Sequence, residues 1–348
     1  MIKNGTELRL IRQTQNKSSK GHFQKKCLFF LTEAENLIEI LVYTNFQAKP
    51  LRLFCVMKPI QTPDWLDTNE YPFSPNTFQT EGQRMHYIDV GPRQAPVLLF
   101  VHGTPSWSFD FRKVLKTCSN TFRCIAMDHI GFGLSDKPET FDYSTKGHAR
   151  RLKQLIQYLK LPSVHLIAHD FGGVISMAAF KDFPEKVNQI VFLNTWLWDC
   201  SKEPEFRKIK WILQSPLLPF LYRYLNFSAK YVLPSSFFDK NALPKTVHQQ
   251  YLLPFAASDT RTGTIAFARS LLKDQPWFQQ IWEETAAFRS KKLLLIWGKQ
   301  DPAVPFRYAE RFQQHFLQSH LVGLEQCGHF PQEEQSEKVS QEILRFLV

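Results

Sequence analysis

The chain has 348 residues, 43% of them hydrophobic, enough for one large globular unit with an insertion or for two ordinary domains. Its formal charge of +11 suggests a nucleic-acid or membrane partner. Residues 1–56, however, hold nine Lys/Arg against four Asp/Glu, so +5 of that total sits in the first sixth of the chain, with no basic recognition module beside it. Six scattered cysteines, at 27, 55, 118, 124, 200 and 327, form no C-x-x-C pair or metal-spaced cluster, which predicts reduced thiols in a cytoplasmic protein without a metal or a disulfide framework.

Residues 1–56 read as an N-terminal extension whose role the sequence does not disclose. They run polar and basic, then apolar in "CLFFL" and "LIEILVY", where Glu33, Glu35 and Glu39 interrupt any membrane span or signal peptide. From about residue 85 the pattern changes. "RMHYIDV", "VLLFV", "FRCIAMD", "VHLIA", "QIVFLN", "KLLLIWG" and "HLVGLE" read as strands, several of them unbroken apolar runs of the kind a parallel sheet buries on both faces. Segments such as 143–160 and 172–186 have helical spacing, so the fold class is α/β: a mostly parallel central sheet flanked by helices. Residues 57–198 form the first part of this core and 290–348 the second. Between them, 199–289 is helical in pattern and rich in Pro and aromatic residues, as expected of a helical cap above the carboxyl ends of the strands, where open sheets bind ligands.

After "VHLIA", the stretch Ala168-His169-Asp170-Phe171-Gly172 has the small-x-nucleophile-x-small spacing of a strand-to-helix elbow, whose tight tip excludes bulky flanking side chains. An Asp at its tip needs no base to become a nucleophile, because a carboxylate is ionised at neutral pH and favoured by a helix N-terminus. It can attack a saturated carbon and form an ester, whose hydrolysis then requires a general base, an acid to orient that base, and oxyanion donors. "EQCGHFPQEE" supplies the base His329, and "WGKQDPAVP" supplies the acid Asp301. A rival acid position after "QIVFL" holds Asn194, with Asp199 beyond it. "HGTPSW", 102–107, has the form of the oxyanion loop, so the backbone N–H groups of Thr104 and Phe171 are the expected donors, with His102 and Gly103 shaping the turn. "DHIGFGLSD" lacks the third glycine of a dinucleotide fingerprint and reads as a structural turn.

Together, "HGTPSWSFDFRK", "DHIGFGLSDKP", "HDFGG", "NTWLW", "WGKQDP" and "GHFPQEE" make residues 60–348 resemble the haloalkane dehalogenases of the α/β-hydrolase family, with epoxide hydrolases as close relatives. The resemblance implies an α/β-hydrolase fold and hydrolytic dehalogenation of a small apolar substrate without a cofactor; the spread of charge and the interrupted apolar runs leave no nucleic-acid or membrane partner expected. A monomer is expected. In that family the residue after the nucleophile is usually Trp and the residue after "HG" is often Asn, both donors to the departing halide. Here they are Phe171 and Thr104, and phenylalanine has no N–H to give. Trp107, Trp196 and Trp211 are the candidate substitutes in the leaving-group pocket. Two alternatives stay open: epoxide hydrolysis, with phenolic donors among Tyr222, Tyr224, Tyr231 and Tyr251, and a non-catalytic fold that binds an apolar ligand.

Overall fold

A computed structural model describes residues 62–348. Of the extension expected over residues 1–56, which otherwise lies outside the described residues, it gives the backbone of four strands, β1 (Arg9–Leu10), β2 (Leu28–Ala34), β3 (Leu37–Tyr43) and β4 (Leu51–Val56), paired antiparallel in that order. The chain divides into two compact units, Met1–Gln61 and Thr62–Val348.

The second unit is built on eight strands: β5 (Asn76–Thr80), β6 (Gln83–Val90), β7 (Val97–Val101), β8 (Arg123–Met127), β9 (Val164–Asp170), β10 (Val187–Thr195), β11 (Lys292–Gly298) and β12 (Gln318–Leu324). Their order across the sheet is β12-β11-β10-β9-β7-β8-β6-β5. β6 pairs antiparallel with both β5 and β8, and all other pairings are parallel. The unbroken apolar runs have the expected origin. On β7, Val97, Leu99 and Val101 face one core while Leu98 and Phe100 face the other, so every residue of the strand is buried.

Helices cover both faces. α2 (Thr145–Tyr158) and α3 (Phe171–Phe180) pack on the first through Leu152, Leu155, Val174 and Ile175. α1 (Arg112–Cys118) packs on the second through Val114 and Leu115, joined by the C-terminal helix α12 (Ser336–Leu347) through Val339 and Ile343. The start of α2 is encoded locally: the Ser144 hydroxyl caps it by accepting from the Gly147 N–H at 3.0 Å, and Thr145, His148, Ala149, Leu152 and Ile156 then form its buried stripe.

Between β10 and β11 the described chain forms helices and no strand. α4 (Pro204–Gln214), α5 (Leu218–Leu225), the single turn α6 (Leu233–Ser235), α7 (Lys245–Leu252), α8 (Thr262–Lys273) and α9 (Gln275–Glu284) follow one another. After β11 come α10 (Arg307–His315) and, past β12, the short α11 (Pro331–Glu334).

Candidate active site

β9 ends on Asp170, whose φ of 52° and ψ of −128° turn the chain sharply into α3. A non-glycine residue pays about 1–3 kcal/mol for such a conformation, so the surroundings must impose it. Three glycines make that possible by close approach. A Cβ on Gly172 would stand 2.1 Å from the Val101 carbonyl oxygen of β7, one on Gly173 would stand 2.1 Å from Thr195 Oγ1, and one on Gly103 would stand 2.2 Å from Asp170 Oδ2. The Thr195 hydroxyl holds the tip from behind by donating to the Asp170 carbonyl at 2.6 Å.

The Asp170 carboxylate is buried, and its two oxygens have different surroundings. Oδ2 accepts the Thr104 N–H at 2.8 Å, and the Phe171 N–H also bonds the carboxylate. Oδ1 lies 3.7 Å from His329 Nε2. On the far side of the imidazole, Nδ1 stands 2.6 Å from Asp301 Oδ2. Asp301 in turn accepts the backbone N–H groups of Ala303 and Val304 on Oδ1, at 2.8 and 3.0 Å, which makes the turn before Pro302 a rigid mount. The residues expected from sequence as nucleophile, base, acid and oxyanion donors thus meet at the carboxyl ends of β7, β9, β11 and β12.

Burial raises the Asp170 pKa, against the opposing influence of the His329 charge and of the two N–H groups. For His329, burial disfavours the imidazolium, but the charge and hydrogen bond of Asp301, followed by the charges of Asp170 and Glu334, outweigh it and push the pKa up to about 9. Its carboxylate neighbours thus favour the protonated form of His329.

Three further residues shape the site. Asn194 occupies the rival acid position, at a register shift in the β9–β10 pairing between Leu193 and Thr195, with φ at 29°. Its Nδ2 donates to Asp301 Oδ2 at 2.7 Å while its Oδ1 accepts the Gly298 N–H at 2.9 Å, so it positions the acid from the neighbouring strand. His169 Nε2 bonds the His329 carbonyl at 2.7 Å. Glu334 accepts the N–H groups of Gly328, Phe238 and Asp239, each at 2.9 Å, tying the histidine loop to the helical insertion. The only sequence signal for any of them was Asn194's place after a strand. Asp199 stands apart and caps the Ser201 N–H at 2.7 Å. His102 shapes the turn: its Nδ1 pairs with the Gly103 carbonyl at 2.7 Å and its Nε2 accepts the His129 N–H at 2.9 Å. Asp128 of "DHIGFGLSD" gathers the Ser108 and Leu134 N–H groups, each at 2.8 Å, in a structural turn.

A cavity of about 330 Å³ opens over Asp170 and His329, walled mainly by apolar side chains from α4, α8 and the segment 227–236, with Tyr222 from α5. Of the three candidate tryptophans, Trp196 alone lines it. That ring is 4% exposed, stands edge-on to Phe171 at 4.9 Å, and its Nε1 has no hydrogen-bond partner among the described residues. The same holds for the Thr104 hydroxyl. Trp107 lies in the core, its Nε1 donating to the Gln250 carbonyl at 3.0 Å, and Trp211 is 70% exposed on α4, so neither lines the cavity. Of the four tyrosines, Tyr222 lines the cavity, Tyr251 is buried against Glu333, and Tyr224 and Tyr231 point to solvent. No cluster of His, Cys, Asp or Glu among the described residues can hold a metal ion.

Comparison with known proteins agrees with this architecture. The alpha/beta hydrolase fold family matches residues 96–336. Haloalkane dehalogenase 2 of Mycobacterium tuberculosis is 30% identical over 280 residues, 80% of this chain and 96% of that protein. The cis-3-alkyl-4-alkyloxetan-2-one decarboxylase of Shewanella oneidensis is 31% identical over 288 residues, 79% of this chain and 89% of that one. In fold, the chain matches the crystal structure of a haloalkane dehalogenase from Bradyrhizobium elkani with a TM-score of 0.71 at 24% identity, covering 78% of this chain and 96% of that one. Epoxide hydrolase 1 of Caenorhabditis elegans is more distant, 25% identical over 279 residues. The chain belongs to the α/β-hydrolase family, as a hydrolase related to the haloalkane dehalogenases.

Proposed function

We propose that the protein hydrolyses a small apolar haloalkane through an alkyl ester on Asp170. The observation that carries this reading is the division of labour in the Asp170 carboxylate: Oδ2 sits on the Thr104 N–H at 2.8 Å, and Oδ1 remains as the nucleophile beside His329. In the first step an Oδ1 lone pair forms the new C–O bond while the carbon–halogen bond breaks and its electron pair leaves with the halide. The Nε1–H of Trp196 and the hydroxyl of Thr104, buried without partners in the cavity wall, are the donors available to that anion.

Esterification removes the charge of Asp170 and with it part of what keeps His329 protonated. The imidazole can then shed its proton and act as general base on a water, with Asp301 stabilising the cation that re-forms. Hydroxide adds to the ester carbonyl, and the oxyanion on Oδ2 stays between the Thr104 and Phe171 N–H groups. Collapse expels the alkoxide, which takes the proton from His329 and leaves Asp170 as a carboxylic acid; that acid then passes its proton to the neutral imidazole, and the resting carboxylate is restored.

The second reading is opening of a strained oxygen ring, an epoxide or, as the Shewanella relative's name suggests, an oxetan-2-one. Phe171 favours it: the residue behind the nucleophile offers no side-chain donor, and ring strain supplies driving force that a halide cage otherwise provides. Tyr222, facing the cavity, is the phenol available to a ring oxygen.

Intact-mass spectrometry of His329→Gln decides between these readings. With a haloalkane, the variant is expected to gain the mass of the alkyl group without the halogen, and Asp170→Ala to gain nothing. A ring substrate would add its whole mass. Absence of any adduct across a haloalkane panel sinks dehalogenation, and absence across all panels leaves ligand binding as the function.

A further inference from the structure

The outer face of the helical insertion differs from the rest of the surface. Seven of the eleven exposed large hydrophobic side chains of the described residues fall between Ile209 and Tyr231. Trp211 is 70% exposed, Leu217 63%, Phe220 54% and Tyr224 60%. Leu217, Phe220 and Tyr224 recur at the three- and four-residue spacing of one helix face, just before and along α5, and the Phe220 and Tyr224 rings stand 5.2 Å apart. A concentration of this kind marks an interaction surface, whereas scattered exposed residues would need no explanation.

Its charge is one-sided. Residues 206–238 include Arg207, Lys208, Lys210, Arg223 and Lys230 and contain no Asp or Glu. Arg223 pairs with Glu139 at 2.7 Å, and the other four make no ion pair among the described residues. The inner sides of the same helices wall the cavity with Phe206, Ile212, Leu213 and Tyr222. Ile209 belongs to both surfaces, lining the cavity while 39% exposed.

We propose that this face docks on the surface of an anionic lipid bilayer, with α4 and α5 lying in the interface. Trp and Tyr rings settle at the headgroup level, aliphatic and Phe side chains enter the acyl boundary, and Lys and Arg meet anionic headgroups. No helix among the described residues is long and apolar enough to cross a membrane, and a face-on contact needs none. The expectation that no membrane is a partner rested on the missing span and does not bear on such a contact. A second copy of the chain fits the face poorly, because a symmetric contact would oppose the same uncompensated cations.

Co-sedimentation of the full chain with phosphatidylcholine vesicles, with and without phosphatidylglycerol, tests this without reference to catalysis. Binding is expected only to the anionic vesicles and is expected to weaken as salt rises. Replacing Arg207, Lys208 and Lys210 by Gln should weaken it about a hundredfold, at roughly fivefold for each cation removed. Trp211→Ser/Phe220→Ser/Tyr224→Ser should abolish binding while leaving circular dichroism and the melting temperature of the free protein unchanged. The proposal is overturned if neither vesicle binds, if neutral vesicles bind equally well, or if both variants bind like the wild type. A dimer in sedimentation velocity that the aromatic variant loses would assign the face to a second copy and overturn it as well.

Discussion

At the scale of single residues, the proposed reaction needs a leaving-group donor that the residue behind the nucleophile does not supply. Phe171 gives its backbone N–H to the Asp170 carboxylate and its ring to an aromatic wall with Trp196 and Phe267, at 4.9 and 4.6 Å. On the reading proposed above, Trp196 would bring the indole N–H that Phe171 lacks, from just past β10 rather than from the elbow. A donor to a developing anion in a water-excluded site is worth about 2.7–4 kcal/mol, or roughly a hundred- to a thousandfold in rate. Trp196→Phe keeps an aromatic ring, though a smaller one, and removes the N–H, so halide release under saturating substrate should fall by about that factor while His329→Gln/Trp196→Phe still accumulates ester, only more slowly. An unchanged rate would mean that the indole serves packing alone. Asp170, Asp301 and His329 could be read from sequence because each follows a strand in a short motif. The partnership of Trp196 could not, since three tryptophans looked alike until burial and an unpaired Nε1 separated them.

At the scale of elements, seven of the eight strands of the second unit were legible as short apolar-rich runs, and β5 was not. Its sequence, "NTFQT", is a polar edge strand buried mainly through Phe78 and Thr80, and its pairing with β6 depends on a tight turn in which Glu81 and Gly82 take φ of 51° and 78°. Asn194 was hidden for a related reason: a register shift in β10 aims its side chain at Asp301, and strand alternation carries no sign of such a shift. The elbow, in contrast, is written in its glycines, and that can be tested. A methyl group on Gly172 would meet the Val101 carbonyl of a central strand at 2.1 Å, where no flexible side chain can yield. Overpacking of this kind costs about 3 kcal/mol or more, so Gly172→Ala should lower the melting temperature by on the order of 10 °C or prevent soluble expression. Scanning calorimetry reads this directly, and a melting temperature within a degree or two of wild type would show that the elbow is looser than its contacts indicate.

At the scale of the whole molecule, the site and the stability of the fold are linked through one proton. His329 has a pKa of about 9 in the folded chain against 6.5 for an ordinary histidine, because Asp301 and Asp170 outweigh the effect of its burial. Below about pH 6.5 the imidazole is protonated in both folded and unfolded chains, and the site's contribution to stability is complete. Between 6.5 and 9 the unfolded chain has lost that proton while the folded chain keeps it, so each rise in pH draws the equilibrium toward unfolding. Above 9 the contribution is gone. A shift of this size corresponds to on the order of 3 kcal/mol. The raised pKa of Asp170 acts in the same direction, since over its own titration range the folded chain keeps a proton that the unfolded chain has lost. Urea denaturation of wild type and His329→Gln at pH 6 and pH 9.5 should show wild type losing about 3 kcal/mol more than the variant between the two, since the lysines and tyrosines that titrate at alkaline pH are common to both. Equal losses would mean that the resting histidine is neutral. His329 could then act as general base without first losing a proton to solvent, and esterification of Asp170 would no longer be the event that releases it.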